Sequence, residues 1–332
     1  MMGETWHLTI KHGPGSVEHF HHFLLGFFVP LTHHLATSLA NASFERLIIR
    51  SCGPLDGIIG ELGDGRIRIV DKDEHSRISA DCRVVSAEAS RGSPTPAAVA
   101  KFLSVEGYDY PIDYSYRAFS SARSILLSRE AVRSEIDRLR REWPPGRTRI
   151  LLIERGPPNP FYNSTQSEMR GAGNERRSIA NHEELYRALQ HDFGGCLNIR
   201  TEGTTLSRQI ALFSSAEIIV AQHGAALSNL IWASETARVI EVFPKTLRPE
   251  QLKEDCFRYL SKCLGLRYRK ILQQNEHSPV DVKQILETVR ALCNSPPPPF
   301  EARLQRAHFT LLQACNRSKR SLRKILEKAG WR

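Results

Sequence analysis

No stretch of this sequence carries the roughly 18–20 consecutive apolar residues that cross a bilayer, and no charged segment followed by an apolar cleavage region opens it. The chain is therefore expected to be soluble, cytoplasmic or peripheral to a membrane, or lumenal in the secretory pathway if an anchor is missing from it. The seven cysteines, at positions 52, 82, 196, 256, 263, 293 and 315, are odd in number and form neither a C-x-x-C pair nor a regular zinc spacing. They are expected as reduced, mostly buried thiols rather than a disulfide framework. No G-x-G-x-x-G follows an apolar run, which disfavours a dinucleotide oxidoreductase, and neither His-Glu-x-x-His nor a G-x-S-x-G elbow occurs. Three N-x-S/T sequons, at Asn41, Asn163 and Asn316, are near the number that chance supplies and say little about secretion.

What is present suits an ordinary globular protein: 41% hydrophobic and 25% charged residues. A chain of 332 residues exceeds the usual span of one core, so two domains are expected. The net charge of +10 is concentrated at one end, because residues 301–332 hold nine Lys or Arg against two Glu. Such a tail suits an anionic membrane surface or a solvated helix face, and no nucleic acid is expected as a partner.

From Val17 to Leu39 the chain is dense in His, Phe and Leu, and Phe20, Leu24, Phe27, Phe28 and Leu31 fall at the spacing of an internally packed helix. Strands are predicted at Arg46–Arg50 and Arg66–Val70, a surface loop over Ser86–Pro96, and a helix capped by Ser128 that runs to Trp143. Its stripe is Val132, Ile136, Leu139 and Trp143, and Pro144, Pro145 and Gly146 stop it. The domain boundary is set there: an N-terminal acceptor-side domain over 1–145, a nucleotide-sugar-binding domain over 146–295, then a Pro-rich break and basic helical tail over 296–332.

Past the boundary, short apolar runs without polar alternation each lead into a helix. They are residues 149–153, 196–200, 217–221, 238–243 and 266–272, with helices expected over 181–189, 204–214, after Gly224, over 250–264 and from Ser278. Asn181 with Glu184 makes a capping-box-like start. Strands of this kind are buried on both faces, which predicts a parallel, doubly wound sheet.

In such a sheet, ligands lie beyond the carboxyl ends of the strands. The segment Ala221–Pro244 puts His223 and Gly224 at one such end, directly before a helix whose first N–H groups are unpaired and carry the positive end of the dipole. A diphosphate fits there: glycine admits its oxygens to the main chain of Gly224, Ala225 and Ala226, Ser228 and Asn229 add donors, and His223 adds a charge-assisted contact. Glu241, on the next strand, is placed to accept from two neighbouring hydroxyls of a ribose or sugar. Arg155, at the end of the first strand, and Arg177, beyond the long polar loop 156–176, offer forks for phosphate oxygens, and the loop's length suggests a lid.

These residues carry a resemblance. The segment from Glu217 to Pro244 is similar to the signature of glycosyltransferase family 61, which runs from an apolar strand through His-Gly-Ala-Gly-Leu-Thr-Asn to a second apolar strand with Glu and Pro. Residues 176–185 resemble its Arg-Arg-x-Ile-x-Asn-x-x-Glu-Leu, residues 206–225 its Gln-x-x-Leu-Phe lead-in, and residues 20–31 its N-terminal His-containing segment, with His22 at the matching position. The family includes plant β-1,2-xylosyltransferases and animal N-acetylglucosaminyltransferases acting on protein-linked sites.

The resemblance implies an α/β, GT-B-like architecture, two Rossmann-type doubly wound domains facing a cleft. It also implies transfer with inversion from a UDP-sugar, GlcNAc or xylose, to a hydroxyl of a glycan or glycoprotein acceptor. No cofactor is required on this reading, with a divalent metal left open. His22 and His223 are the candidate catalytic pair, with Glu18, His19, His21, Asp109 and Asp113 as rivals for the base. Two departures mark the chain: Ala226 replaces the second glycine of the motif, and Gly26 stands where the family often has Asp or Glu. Two alternatives stay open, a catalytically inactive nucleotide- or glycan-binding homologue, and a GT-A-type transferase holding a metal through Asp71 and Asp73.

Overall fold

The computed structural model describes residues 5–11, 16–36, 39–40, 45–80, 83–86, 101–106, 112–168, 171–246 and 256–295. The basic tail, Asp109 and most of the loop expected over Ser86–Pro96 lie outside them. Two five-stranded sheets, parallel throughout, organise the rest. The first contains β1 (Thr5–Lys11), β2 (Arg46–Arg50), β3 (Ile67–Val70), β4 (Arg83–Ser86) and β5 (Lys101–Glu106) in the order β3-β2-β1-β5-β4. The second contains β6 (Ile150–Glu154), β7 (Cys196–Arg200), β8 (Ile218–Gln222), β9 (Arg238–Pro244) and β10 (Arg267–Gln273) in the order β10-β9-β8-β6-β7. The mixed α/β class and the parallel pairing follow the sequence expectation. Among the described residues no helix is long and apolar enough to cross a membrane.

The second sheet shows why its strands read as unbroken apolar runs. Leu151, Ile153, Ile219, Ala221 and Val239 enter one core, while their neighbours Ile150, Leu152, Ile218, Val220, Ile240 and Val242 enter the other. Each strand alternates between two covered faces, so both sets must be apolar. Strands β6 and β8 lie side by side, with β7 beyond β6 and β9 and β10 beyond β8. The sheet's topological switch point is the crevice between the carboxyl ends of β6 and β8.

Several local expectations needed correction. The segment near residue 20 is helical, yet residues His22–Phe28 wind as a π-helix before an α-helix over Val29–Ala36. Phe23, Leu24, Leu25, Phe27 and Phe28 are all buried, so the segment is wrapped by protein on every side rather than along one stripe. Ser128 does not cap the next helix; its Oγ donates back to the carbonyl of Ile125 at 2.7 Å, ending a helix over Ile112–Leu127 that the sequence did not disclose, and the following helix starts at Glu130. Asn181 heads the helix His182–Phe193 without a backbone cap, because its side chain is spent on Glu184 and on both backbone groups of Val280. The element after Gly224 is a 3-10 helix, Ala225–Trp232, not an α-helix.

The two sheets share one apolar core, which runs from Leu47 and Phe28 through Val132 and Leu139 to Phe213 and Trp232. The helices Ile112–Leu127 and Glu130–Glu142 pack on the helix Leu206–Ser215, which belongs to the second sheet. Glu61, from the first half, caps that helix by accepting from the backbone N–H of Leu206 at 2.7 Å and Ser207 at 3.1 Å. Arg129 in turn holds the carbonyls of Glu61 and Leu62. Cys52 and Cys196 are buried, and Cys256 and Cys293 half-buried, none of the four in a disulfide.

Candidate active site

At the switch point the backbone carbonyl of His223 accepts two cationic donors, Nη1 of Arg155 at 3.2 Å and Nη1 of Arg177 at 3.3 Å. Arg155 follows β6 directly, and Arg177 arrives from the far end of the 156–176 loop. The fork of Arg155 is set from behind by Gly173, whose carbonyl accepts from Nε at 3.0 Å. Gly173 has φ +57°, and a Cβ there would stand 2.7 Å from the nitrogen of Pro158, so only glycine serves. Neither arginine forms an ion pair among the described residues. Burial lowers the pKa of Arg155, with Arg176 acting in the same direction and Glu202 against it. Burial, then Arg176 and Arg155, brings Arg177 down to about 10. Its Nε is buried with no hydrogen-bond partner. Three neighbouring guanidiniums, two of them desolvated, make a strongly positive crevice.

Gly224, expected to give phosphate oxygens room, has a reason within the protein as well: a Cβ on it would collide with Nη1 of Arg155 and stand 3.2 Å from Cζ. The glycine makes space for the guanidinium, which in turn presents its charge to the crevice. Ala225 and Ala226 follow half-buried at the start of the 3-10 helix, so the extra methyl of Ala226 is accommodated against the core.

Three expected donor contacts are corrected by burial. Asn229 is fully buried, donating to Oε1 of Gln209 at 2.8 Å and accepting from Nε1 of Trp232 at 3.1 Å. Ser228 is also fully buried, and its Oγ lies 2.7 Å from Nδ1 of His21. Glu241 is 1% exposed, with Oε1 2.5 Å from Nδ1 of His223 and Oε2 accepting from the hydroxyl of Tyr268. Both oxygens are occupied within the protein, so Glu241 holds an imidazole rather than a sugar diol. The ring of His223 is further fixed edge-on by Phe243 at 4.7 Å and Phe257 at 5.4 Å between centroids.

The N-terminal helix meets this site through His21, whose ring also packs on Phe257 at 5.5 Å. His22 lies beside it, with ring centroids 5.3 Å from His21 and 5.5 Å from His19. Burial, then His22, then the arginines lower His19 to about 4; burial, then His22, His19 and His223, lower His21 to about 3. These rings are neutral near pH 7, which suits them to stand beside cations. Gly26 is buried, and Glu18 is buried, with Oε2 accepting from the N–H of Glu168 at 2.7 Å and Oγ of Ser167 at 3.2 Å.

The loop expected as a lid is pinned to the first half. Glu168 accepts from Ser16 at 2.9 Å, Arg50 at 2.7 Å and Lys72, and Tyr162 donates to the carbonyl of Glu18 at 2.7 Å. Asp71 is exposed and caps the helix Lys72–Ala80 through the N–H of Glu74 at 2.7 Å, and Asp73 is exposed in its first turn. That pair forms a helix start, and among the described residues no group of three His, Cys, Asp or Glu is arranged around a metal position. Asp113 falls within the helix Ile112–Leu127. The sequence reading missed Tyr268, Phe257 and the pinning role of Glu168; no local spacing ties any of them to His223.

The glycosyltransferase 61 family model matches residues 20–240, which takes in the helix bearing His21 and His22, the arginine crevice, His223 and the first three residues of β9, ending just before Glu241. Among solved structures, the glycotransferase of kitacinnamycin resembles the chain with a TM-score of 0.42 and 10% sequence identity, covering 95% of this chain and 99% of that one. No curated protein matches the sequence.

Proposed function

Because the chain belongs to the glycosyltransferase 61 family and is a glycosyltransferase, we propose that it moves a sugar, GlcNAc or xylose, from a UDP-sugar to a hydroxyl of a glycan or protein-linked acceptor, with inversion. The observation that carries the nucleotide reading is the pair of desolvated guanidiniums of Arg155 and Arg177, converging at the switch point on one carbonyl with no direct ion pair among the described residues, Glu202 and Glu276 acting on them only at longer range. Buried cations are costly unless an anion completes them. A diphosphate supplies that anion at the place where open α/β sheets bind ligands.

Departure of the diphosphate concentrates negative charge on its outer phosphoryl group. The two arginines and the first N–H groups of the 3-10 helix at Ala225 and Ala226 stabilise that charge without a metal ion, so no cofactor is needed on this reading. The acceptor enters from the side of the first sheet, in a GT-B-like cleft, where the helix carrying His19, His21 and His22 adjoins His223. The basic tail, if it engages a surface, draws the enzyme toward anionic lipid.

Thermal shift with UDP, UDP-GlcNAc and UDP-xylose tests the donor. At least one should raise Tm, by an amount that grows with concentration. UDP release that persists in EDTA supports metal independence. Absence of any shift at millimolar nucleotide sinks the donor assignment, and activity lost in EDTA and restored by Mn²⁺ sinks the metal-free one.

A further inference from the structure

Glu241 lies at the heart of the second sheet with one oxygen facing Nδ1 of His223 and the other facing the hydroxyl of Tyr268. The phenol donates, so the carboxylate is an acceptor on that side, and among the described residues its one ion-pair partner is His223. An ionised carboxylate can only accept, so the imidazole nitrogen facing it is the one that carries the hydrogen and donates it in the hydrogen bond. That fixes the neutral ring as the Nδ1–H tautomer. The ring's remaining nitrogen, Nε2, then carries a lone pair and has no partner among the described residues, while the His223 side chain keeps 16% exposure. A neutral ring in this tautomer cannot donate to phosphate through Nε2, which reverses the role read from sequence; it can only accept there.

We propose that His223 is the base that takes the proton of the acceptor hydroxyl, and that Glu241 and Tyr268 are positioning residues holding its tautomer and ring plane. The proposal deepens the transferase reading above and rests on it for the identity of the reaction. As the acceptor oxygen bonds to the anomeric carbon, the bond from that carbon to the diphosphate breaks. The diphosphate leaves with the bonding electrons, and the hydroxyl proton passes to Nε2. The resulting imidazolium faces a buried carboxylate with no other counter-ion, so proton uptake neutralises a desolvated charge. The groups around the ring are Glu241 on β9, Tyr268 and Lys270 on β10, His21 on the N-terminal helix, and Arg155 and Arg177 at the carbonyl of His223 itself. Tyr268 matters because it orients the carboxylate. Lacking its donation, Glu241 is free to turn about its last side-chain bond.

Two measurements test this. Long-range ¹H–¹⁵N NMR of the full-length protein, with the His223 signal assigned by its loss in His223→Gln, should show an unprotonated Nε2 in the neutral ring. A protonated Nε2 in the wild type overturns the proposal outright, whatever the substrate. In Glu241→Gln the phenol holds the amide oxygen and turns the NH₂ toward His223, so the tautomer should flip. UDP release from UDP-GlcNAc or UDP-xylose with water as acceptor should then fall in kcat by about 10³-fold, and by about 10-fold in Tyr268→Phe, with KM for the donor within about two-fold of wild type. Retained kcat with only a lower Tm in both variants also overturns the relay. A wild type whose Tm does not respond to UDP brings down the donor reading instead, and leaves the tautomer result to judge the relay.

Discussion

At the carboxyl ends of the first sheet, Arg50 and Lys72 both reach Glu168, which Ser16 also holds. At the carboxyl ends of the second sheet, Arg155 and Arg177 reach only backbone carbonyls. Both are carboxyl ends of parallel sheets, though only the second cluster lies at its sheet's switch point, and the two differ in electrostatics. In the first, the protein supplies its own anion, and the cluster fastens a loop. In the second, the guanidiniums are desolvated and held by carbonyls, with Glu202 and Glu276 acting on them but forming no direct ion pair among the described residues. A cationic cluster therefore marks a ligand position by what it lacks, not by how many arginines it contains.

The sharpest way to break this contrast is to remove one cation from each end. Arg155→Met and Arg177→Met should each cost on the order of 10²–10³-fold in kcat/KM for the UDP-sugar and abolish most of the UDP-induced shift in Tm. Arg50→Met should change the same turnover by less than about three-fold, since a partly exposed ion pair contributes little. Equal losses at both ends would end the distinction.

A second test leaves every charge in place. Gly224→Ala drives a methyl into the guanidinium of Arg155, and should lower kcat/KM by about 10- to 10²-fold through displacement of that group. If Gly224 serves only backbone approach by phosphate, adding Arg155→Met to Gly224→Ala worsens activity further; on the present geometry the double variant is no worse than Arg155→Met alone.

The buried histidines of the N-terminal helical segment and Glu168 also differ in their response to acid. His19, His21 and His34 are held by burial at about 4, 3 and 4, below their ordinary value of 6.5. The unfolded chain then binds more protons than the folded one between pH 6.5 and about 3–4, so stability is complete above 6.5 and drains away as the pH falls through that window. Tm should drop by at least about 5 °C from pH 7 to pH 5, and His34→Gln should flatten the slope. Glu168 behaves otherwise. Burial pushes its carboxyl up, but the hydrogen bonds from Lys72 and Ser16 and the charge of Arg50 outweigh this and hold it at about 2. Its contribution is lost only as the pH falls from the ordinary carboxylate range near 4.5 toward 2. Glu168→Gln should therefore lower Tm by a few degrees, about equally at pH 7 and pH 5, the smallest of these effects.

Much of the second sheet was legible because both its faces are covered, and an unbroken apolar run followed by a helix has few other solutions. The first sheet was less so: β1 and β5 mix polar with apolar residues, as in Thr5–Lys11, β4 is only four residues long, and only β2 and β3 stood out. At the site, Arg155, Arg177, His223 and Gly224 could be found because each sits at a strand end or loop end. Glu241 was found but misassigned. Its partner Tyr268 comes from β10, 27 residues further on, and only the β9–β10 register, in which Lys270 lies opposite Glu241, brings the two side chains onto one face. The buried roles of Ser228 and Asn229 were hidden for the same reason: a polar residue in a helix after His-Gly reads as a donor to ligand until the helix is seen to be enclosed.

The cap that Glu61 places on the helix Leu206–Ser215, with Arg129, 68 residues further on, holding the carbonyl of Glu61, governs how this protein can be recombined. Donor preference in a two-sheet enzyme invites grafting one half onto another family member. Here a graft cut after Trp143 would carry away the helices that cover Phe213 and Trp232, and would leave the amide groups of Leu206 and Ser207 without their acceptor. A transplant that keeps residues 112–142 with the second sheet preserves the first of these surfaces, and it must still bring an acidic residue at the position of Glu61 from the other parent. Compatibility between parents can thus be screened at one carboxylate before any chimera is made.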